Sequence, residues 1–358
     1  MSKTRTIRTQ KIPVGILGAT GTVGQRFVQL LDGHPWFEIV ALVASERSQG
    51  QRYLEACRWL MPSDPPDSVI NQPIVPMRPD LPVQIVFSAV PSAIAREVEP
   101  QFAAAGYLVC SNASAHRHVE DVPLLIPEIN AEHVTLIEQQ RQKRGWSGLI
   151  VTSPNCAITG VAVALKPLDE DFGLQKVFMV SMQAISGAGY PGVASMDILD
   201  NIIPYIPGEE EKFQQELQKL LGTVRNGRLE PADLIVSASA NRVPVLDGHT
   251  VSLSAGFERA PTPAQAHAVL TSYHPPEICA ILPSAPDHPL RVRTELDRPQ
   301  PRRDRDTADG MVISVGRLRT CPLLDLRLTT VTHNTLRGAA SGAILNAELL
   351  VAQGYLDS

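Results

Sequence analysis

The sequence predicts an α/β protein: a doubly wound parallel sheet followed by a second unit built on a mixed sheet. Three observations carry this. Over roughly the first 150 residues, short apolar runs alternate with helical patterns, the layout of parallel strands joined by crossover helices. The first run ends in a glycine-rich turn that opens a helix. After Cys156 the texture changes, and loosely alternating strands predominate.

Bulk properties narrow the function. A chain of 358 residues is long enough for two domains. With 44% hydrophobic and 19% charged residues, the composition is that of a soluble globular protein. The net charge of −5 gives no electrostatic case for a nucleic acid or an anionic membrane as partner. No apolar run approaches the ~18 residues that span a bilayer. The first stretch, Met1 to Gln10, is basic without an apolar signal core and reads as an arm rather than a secretory signal. Five cysteines (Cys57, Cys110, Cys156, Cys279, Cys321) are odd in number and widely spaced. No CxxC pair or Cys/His cluster suggests a metal, so none is expected. A free thiol such as Cys156 suits a reducing cytoplasm, which is the expected location.

Taken in order, Ile12–Leu17 is an apolar strand that runs into Gly18-Ala19-Thr20-Gly21-Thr22-Val23-Gly24. A helical pattern follows at Val23, Phe27, Val28, Leu30 and Leu31, closed by Gly33. Strand, glycine turn and helix form a Rossmann-like dinucleotide site, with phosphates on the helix N-terminus. Gly18 permits the tight turn, Gly21 the approach of backbone to pyrophosphate, and Gly24 the close packing of helix on strand. The spacing is GxxGxxG rather than GxGxxG, so its context carries the argument. A second strand at Glu38–Ala44 ends in Ser45-Glu46-Arg47-Ser48. Ser45, Arg47 and Ser48 suit a 2′-phosphate and so NADP, while Glu46 is a competing signal for NAD.

Strands are expected at Val83–Val90 and Tyr107–Cys110, with a helix over Ala93–Ala105 between them. Ser88 and Ala89 then lie at a strand's carboxyl end, where ligands bind in such sheets. Arg117 follows in a polar stretch, and by itself reads as a surface charge. Proline-rich Met61–Pro82 and Ala260–Pro301 read as loops.

Leu149–Thr152 is a strand that delivers Cys156, through a Ser-Pro-Asn turn, to the first turn of a helix. The free N–H groups and dipole there favour an anion and lower a thiol's pKa. The stretch alone leaves two readings open: a nucleophile or a small buried core cysteine. Beyond it, Lys176–Ile185 reads as a strand and Ser186–Gly192 as a glycine-rich loop. Gly208–Lys212 starts a helix, and Glu209 with Lys212 share one helix face. Ser237–Arg242, Thr250–Ala255, Ile278–Pro283, Gly310–Leu318 and Leu323–Val331 read as strands, with Asp247-Gly248-His249 a turn. Arg291–Arg305 is an arginine-rich loop, either solvated or an intersubunit contact. Thr335–Leu350 is a helix of small residues that permits close approach to a partner layer or a ligand.

These pieces together resemble one family. The motifs are GATGTVGQRF at Gly18–Phe27, SNASAHR at Ser111–Arg117, SPNCAITG at Ser153–Gly160 and QAISGAGYPG at Gln183–Gly192. GEEEK at Gly208–Lys212, NRVPVLDGHT at Asn241–Thr250, GMVISVGR at Gly310–Arg317 and LRGAASGAILNAELL at Leu336–Leu350 complete the set. The chain resembles the aspartate-β-semialdehyde dehydrogenases, in the branch typical of archaea and fungi.

The resemblance implies NADPH-dependent reduction of L-aspartyl 4-phosphate to L-aspartate 4-semialdehyde, a step toward lysine, threonine, methionine and isoleucine. It implies Cys156 as nucleophile, His249 as general acid/base and Gln183 as the group that orients the acyl carbon. Arg242 would grip the α-carboxylate and Glu209 the α-ammonium, though Glu210 adjoins it. Arg117 and Lys212, with Asn155 nearby, would hold phosphate. Cofactor contacts are expected at Gly18, Thr20, Gly21, Thr22, Val23, Gly24, Ser45, Arg47, Ser48, Ser88, Ala89, Ser186, Gly187, Gly189, Asn334 and Gly338. It further implies an NADP-binding domain over 1–152 rejoined by 335–358, a catalytic and dimerisation domain over 153–334, and a homodimer or homotetramer.

The residue types fit that chemistry. A thiolate splits acyl transfer and hydride transfer into two easier steps through a thioester. A histidine raises the thiolate population and meets the developing alkoxide. A guanidinium binds both oxygens of a carboxylate. Two alternatives stand beside this reading. One is a reductase of malonyl-CoA or N-acetylglutamyl phosphate on the same scaffold. The other is an inactive NADP-binding relative, against which the retention of Cys156 and His249 argues.

Overall fold

The computed structural model describes residues 10–356. The basic arm at Met1 to Gln10 lies, but for its last residue, outside them. The chain begins with β1 (Ile12–Leu17), α1 (Thr22–Leu31), β2 (Phe37–Val43), the single turn α2 (Tyr53–Ala56) and β3 (Ile74–Val75). It continues with β4 (Ile85–Ser88), α3 (Ser92–Ala104), β5 (Leu108–Ser111), the short α4 (Pro127–Asn130), α5 (Leu136–Arg144) and β6 (Leu149–Thr152). The six strands form one parallel sheet in the order β3-β2-β1-β4-β5-β6. That is the dinucleotide-binding order, and the reversal between β1 and β4 opens a crevice at the carboxyl edge. The strands are apolar because both faces are covered: β4, β5 and β6 are buried at every position. On one face Phe27 and Val28 of α1 pack with Phe37 and Phe87, and on the other Phe102 of α3 packs with Val86 and Val109.

The second half runs α6 (Cys156–Phe172), β7 (Leu174–Gln183), the turn α7 (Ser195–Ile198), α8 (Glu209–Leu220) and the hairpin β8 (Thr223–Arg225) and β9 (Arg228–Glu230). Then come β10 (Ile235–Arg242), β11 (His249–Phe257), α9 (Pro263–Ser272), β12 (Leu290–Val292), the turn α10 (Pro301–Asp304), β13 (Ile313–Thr320), β14 (Leu326–Thr332) and α11 (Ser341–Ala352). A mixed sheet has the order β10-β7-β11-β14-β13-β12. Its inner face packs on α6, α8 and α9 around Val161, Leu165, Phe213, Leu217 and Leu270. Its outer face carries exposed Phe178 and Ile235. The last helix returns to the first sheet, where Ile344, Leu345 and Leu349 join the core of β1 and α1.

Three readings of the sequence are corrected. Ile278–Pro283 is not a strand: Glu277–Ala280 is a 3₁₀ turn, and its apolar residues Cys279 and Leu282 fill the first core. The proline-rich stretch before Pro82 is loop except for β3, which pairs at the sheet edge with Leu42 and Val43. Arg291–Arg305 is solvated only in part: Arg291, Arg302 and Arg303 are exposed, while Arg293 and Arg298 turn inward. It folds around Asp304, which is fully buried and accepts from Arg298 Nε at 2.7 Å and from Gln300 N at 2.6 Å. Arg293 Nη2 reaches the same carboxylate at 2.6 Å.

Candidate active site

The turns after β1, β2, β4, β5 and β6 all open at one edge of the first sheet. In the first, Gly18 has a φ of +83°, and a Cβ there would meet the carbonyl oxygen of Ala89 at 2.8 Å. Gly24 is pressed on the turn, since its Cβ would lie 2.1 Å from Gly18 O. Gly21 is different. It caps α1 without a side chain, and a Cβ there would touch nothing nearer than 3.5 Å. Backbone at Gly21 is therefore open to an approaching group, and the N–H groups of the first turn are free for an anion. The buried hydroxyl of Thr22 has no hydrogen-bond partner among the described residues. An orphaned donor at a helix N-terminus, beside open backbone, fits a pyrophosphate. Ser45, Glu46 and Arg47 stand exposed past β2, so the competing Glu46 carboxylate is in solvent.

Other expected cofactor residues sit differently. The Ser88 side chain is fully buried, and its carbonyl accepts from Asn112 N; past β4 the residues that line the cleft are Val90, Pro91 and Ser92 rather than Ser88 or Ala89. Asn334 Oδ1 accepts from Gly248 N at 2.8 Å and its Nδ2 donates to Ser186 Oγ at 2.8 Å, so both ends of its amide hold protein loops. Gly338 lies against Cys156 itself.

Cys156 is the first residue of α6, as the sequence predicts. Asn155 caps the helix, its Oδ1 accepting from Ala157 N at 2.8 Å. Three strand ends meet it at one edge of the mixed sheet. Gln183 closes β7, Arg242 closes β10 in parallel register with it, and His249 opens antiparallel β11. His249 Nε2 lies 3.2 Å from Cys156 Sγ. The far ring nitrogen, Nδ1, accepts the Ala184 backbone N–H at 3.0 Å. Nδ1 is therefore bare in the neutral ring, and Nε2 carries the proton toward the sulfur. The same peptide residue holds the arginine: Arg242 Nη1 donates to Ala184 O at 2.7 Å. Burial, and then the Arg242 and His333 charges, push His249 down to about 3, which keeps the ring neutral.

The thiol departs from expectation. A helix N-terminus lowers a thiol pKa, yet Cys156 is pushed up to about 12. Burial is the largest cause and the Glu209 carboxylate the next, outweighing Arg117 and Arg242, which act the other way. The neutral Nε2–H is thus placed to donate to a sulfur whose charge the free site does not favour.

The remaining groups converge on one cleft of about 400 Å³, lined by Cys156, Gln183, Arg242, Glu209, Lys212 and Arg117 together with Thr22, Gly187 and Gly338. A larger hollow lies elsewhere, around His267 and His288, away from the thiol. Glu209 Oε2 accepts from Asn155 Nδ2 at 2.7 Å and from Gln183 Nε2 at 3.3 Å, and Lys212 Nζ lies 3.4 Å from Oε1. Glu210 instead accepts from Ala240 N at 2.9 Å. This separates the adjoining glutamates: Glu209 faces the cleft and Glu210 tethers β10. Gly187 lets its loop close over the pair, since a Cβ there would lie 2.8 Å from Arg242 Nη1 and 3.0 Å from His249 Cε1.

Arg117 is not a surface charge. It is buried, and its Nη1 donates to Glu216 Oε1 at 3.0 Å, a partner 99 residues away. The sequence by itself does not mark Glu216. Its only signal there is its place in the run Glu209, Lys212, Glu216, Lys219, spaced three and four apart on α8. The arginine-rich loop also reaches the site. Arg305 Nη1 donates to Asp247 O at 2.7 Å, and Gly248 packs on Pro301 and Arg305, which together seat the His249 turn.

Comparison with known proteins adds to this geometry. The family model described as semialdehyde dehydrogenase, NAD binding domain, matches residues 13–137. The one described as semialdehyde dehydrogenase, dimerisation domain, matches residues 165–337. An aspartate-semialdehyde dehydrogenase of Archaeoglobus fulgidus is 51% identical over 341 residues, covering 95% of this chain and 98% of that protein. One from Cryptococcus neoformans is 43% identical, covering 97% and 98%. The crystal structure of aspartate-semialdehyde dehydrogenase with NADP from Candida albicans superposes with a TM-score of 0.89 at 40% identity, covering 97% of this chain and all of that one. With the thiol–imidazole pair and the nucleotide turn in place, the chain belongs to the aspartate-semialdehyde dehydrogenase family.

Proposed function

We propose that the chain catalyses the NADPH-dependent reduction of L-aspartyl 4-phosphate to L-aspartate 4-semialdehyde and phosphate, an amino-acid biosynthetic step. The observation that carries this is the Cys156–His249 contact at 3.2 Å, set in a cleft that also offers Arg242 and Glu209. Arg242 takes the substrate's α-carboxylate and Glu209 its α-ammonium. Malonyl-CoA has no amine for Glu209 to meet. Arg117 and Lys212, with the Asn155 amide beside them, take the phosphate. Gln183, pinned between Ser181 and Glu209, orients the acyl carbon.

The Cys156 sulfur attacks that carbon as its S–H proton passes to the departing phosphate oxygen, phosphate leaves with the C–O electron pair, and a thioester remains. The turn at Gly18–Gly24, the Thr22 hydroxyl and the group Ser45, Arg47 and Ser48 hold NADP(H), with Ser186, Gly187 and Gly189 across the cleft. When bound, it supplies the hydride. The His249 Nε2–H meets the oxygen that becomes negative as the carbonyl is reduced. Collapse of the thiohemiacetal expels the Cys156 sulfur and frees the aldehyde.

The division into 1–152 with 335–358 and 153–334 follows the two sheets. A second copy of the chain covers the outer face with Phe178 and Ile235, giving a homodimer or a homotetramer. Among the described residues no helix is long and apolar enough to cross a membrane. The test uses purified protein, aspartate semialdehyde, NADP and phosphate, followed by NADPH absorbance. Phosphate-dependent NADPH formation is expected. No formation there, with NADPH oxidation by malonyl-CoA instead, overturns the assignment.

A further inference from the structure

Four charged side chains of α8 fall on successive turns of one face: Glu209, Lys212, Glu216 and Lys219. The first two line the cleft. The last two are buried, and the reaction described above gives them no part. Glu216 is fully enclosed, and it makes two contacts with its two oxygens. Oε1 accepts from Arg117 Nη1 at 3.0 Å, and Oε2 accepts from the Asn155 backbone N–H at 2.5 Å. Asn155 caps α6 and immediately precedes Cys156. One carboxylate therefore ties the guanidinium of Arg117 to the turn that presents the nucleophile.

Lys219 completes the clamp one turn further on. Its ammonium donates to Arg117 O at 2.8 Å and to Val119 O and Val122 O at 2.7 Å each. The Arg117 segment is thus held through its side chain by Glu216 and through its backbone by Lys219. Arg117 Nη2 is taken by Asn112 O at 2.9 Å, while the buried Nε has no hydrogen-bond partner among the described residues. A buried carboxylate is costly to leave unpaired, and once doubly paired it fixes geometry.

We propose that Glu216 is a positioning residue for the phosphate half of the reaction. It holds Arg117 at a set place relative to the Cys156 sulfur, so that phosphate leaves toward, and in reverse attacks from, a fixed cation. The proposal rests on the assignment of Arg117 to phosphate given above. It concerns phosphate rather than the amino-acid end of the substrate, because the one side chain that Glu216 holds is that of Arg117, whereas it holds Asn155 by the backbone N–H and leaves the Asn155 amide on Glu209.

In the reverse direction phosphate and aspartate semialdehyde are separate substrates, so their KM values read separately. Glu216→Gln keeps the shape but turns one oxygen into a donor facing a donor, and one of the two links is lost. Phosphate KM is expected to rise roughly ten-fold, as for one charge-assisted hydrogen bond, with semialdehyde KM within about two-fold of wild type. Protection of Cys156 from iodoacetamide by inorganic phosphate gives the same ten-fold loss without turnover. Glu216→Asp, which keeps the charge and shortens the reach, is read by the same criteria if Glu216→Gln does not fold. An unchanged phosphate KM, or both KM values rising together, overturns the proposal. A wild-type chain without phosphate-dependent turnover overturns the assigned function and this proposal with it; normal wild-type turnover with unaltered variant kinetics overturns the proposal alone.

Discussion

Gly338 and Cys156 are in contact, backbone against side chain. A Cβ built on Gly338 would lie 2.7 Å from Cys156 Cβ and 2.9 Å from its Cα. Any side chain at 338 must therefore displace Cys156 or the π-helical turn Leu336–Ala340 that carries residue 338. Gly338→Ala is expected to lower kcat roughly a hundred-fold, the cost of misplacing a reacting atom by about 1 Å. The protein remains folded, because the change lies at the cleft and not in either core. Steady-state kinetics with a melting curve checks this, and a kcat within two-fold of wild type would contradict the contact.

The ionisation of Cys156 makes a second prediction. With its pKa pushed up to about 12, the thiol of the free enzyme is protonated at neutral pH. Its alkylation by iodoacetamide then rises about ten-fold per pH unit from pH 7 to 9.5, with no plateau. Glu209→Gln removes a charge that raises the pKa and speeds alkylation at fixed pH several-fold. A plateau below pH 8 in wild type would mean a thiolate already formed. Cys156→Ala abolishes turnover while NADPH binding, read by its fluorescence, persists.

At Gly187 the added methyl of Gly187→Ala would fall 2.8 Å from Arg242 Nη1 and 3.0 Å from His249 Cε1. Both groups are buried and already bonded to Ala184, so neither yields easily. The expected result is a lower kcat and a higher KM for aspartate semialdehyde, each by about ten-fold. Kinetics that match wild type would show that the loop opens further than its geometry here.

A pH effect on stability comes from Glu99, which is buried beside His116 and accepts from Ser111 Oγ at 2.6 Å. Burial, the largest cause, raises it from 4.5 to about 7. Its folded pKa exceeds its unfolded one, so the folded state holds the extra proton between these values. The stabilisation is complete below pH 4.5 and is lost as pH rises through 7, by about 3 kcal/mol in all. Urea unfolding of wild type and Glu99→Gln at pH 5 and 7.5 checks it. The wild type loses that stability relative to the variant, and parallel stabilities at the two pH values would refute it.

What the sequence makes legible is local. Strand, glycine turn and helix at Ile12–Leu31, the cap before Cys156 and the turn before His249 are set by neighbouring residues, and all three appear as read. The illegible features depend on partners far along the chain. Arg117 reads as a surface charge because Glu216 is 99 residues away. The Cys156 pKa reads as lowered because the helix start is visible, whereas its burial and Glu209 are not. Strands of two or three residues, β3 and β12, are too short to show a period. The apolar run at Ile278–Pro283 mimics a strand because its residues enter a core without pairing.

The chain passes from the first sheet to the second between Thr152 and Cys156, and returns between Thr332 and Ser341. These two crossings touch each other where Gly338 meets Cys156. Cys156 thus sits where the chain changes sheets in both directions, braced by the outgoing crossing and the returning one. A change that loosens either crossing therefore acts on Cys156 directly, however far from the cleft it is made along that crossing.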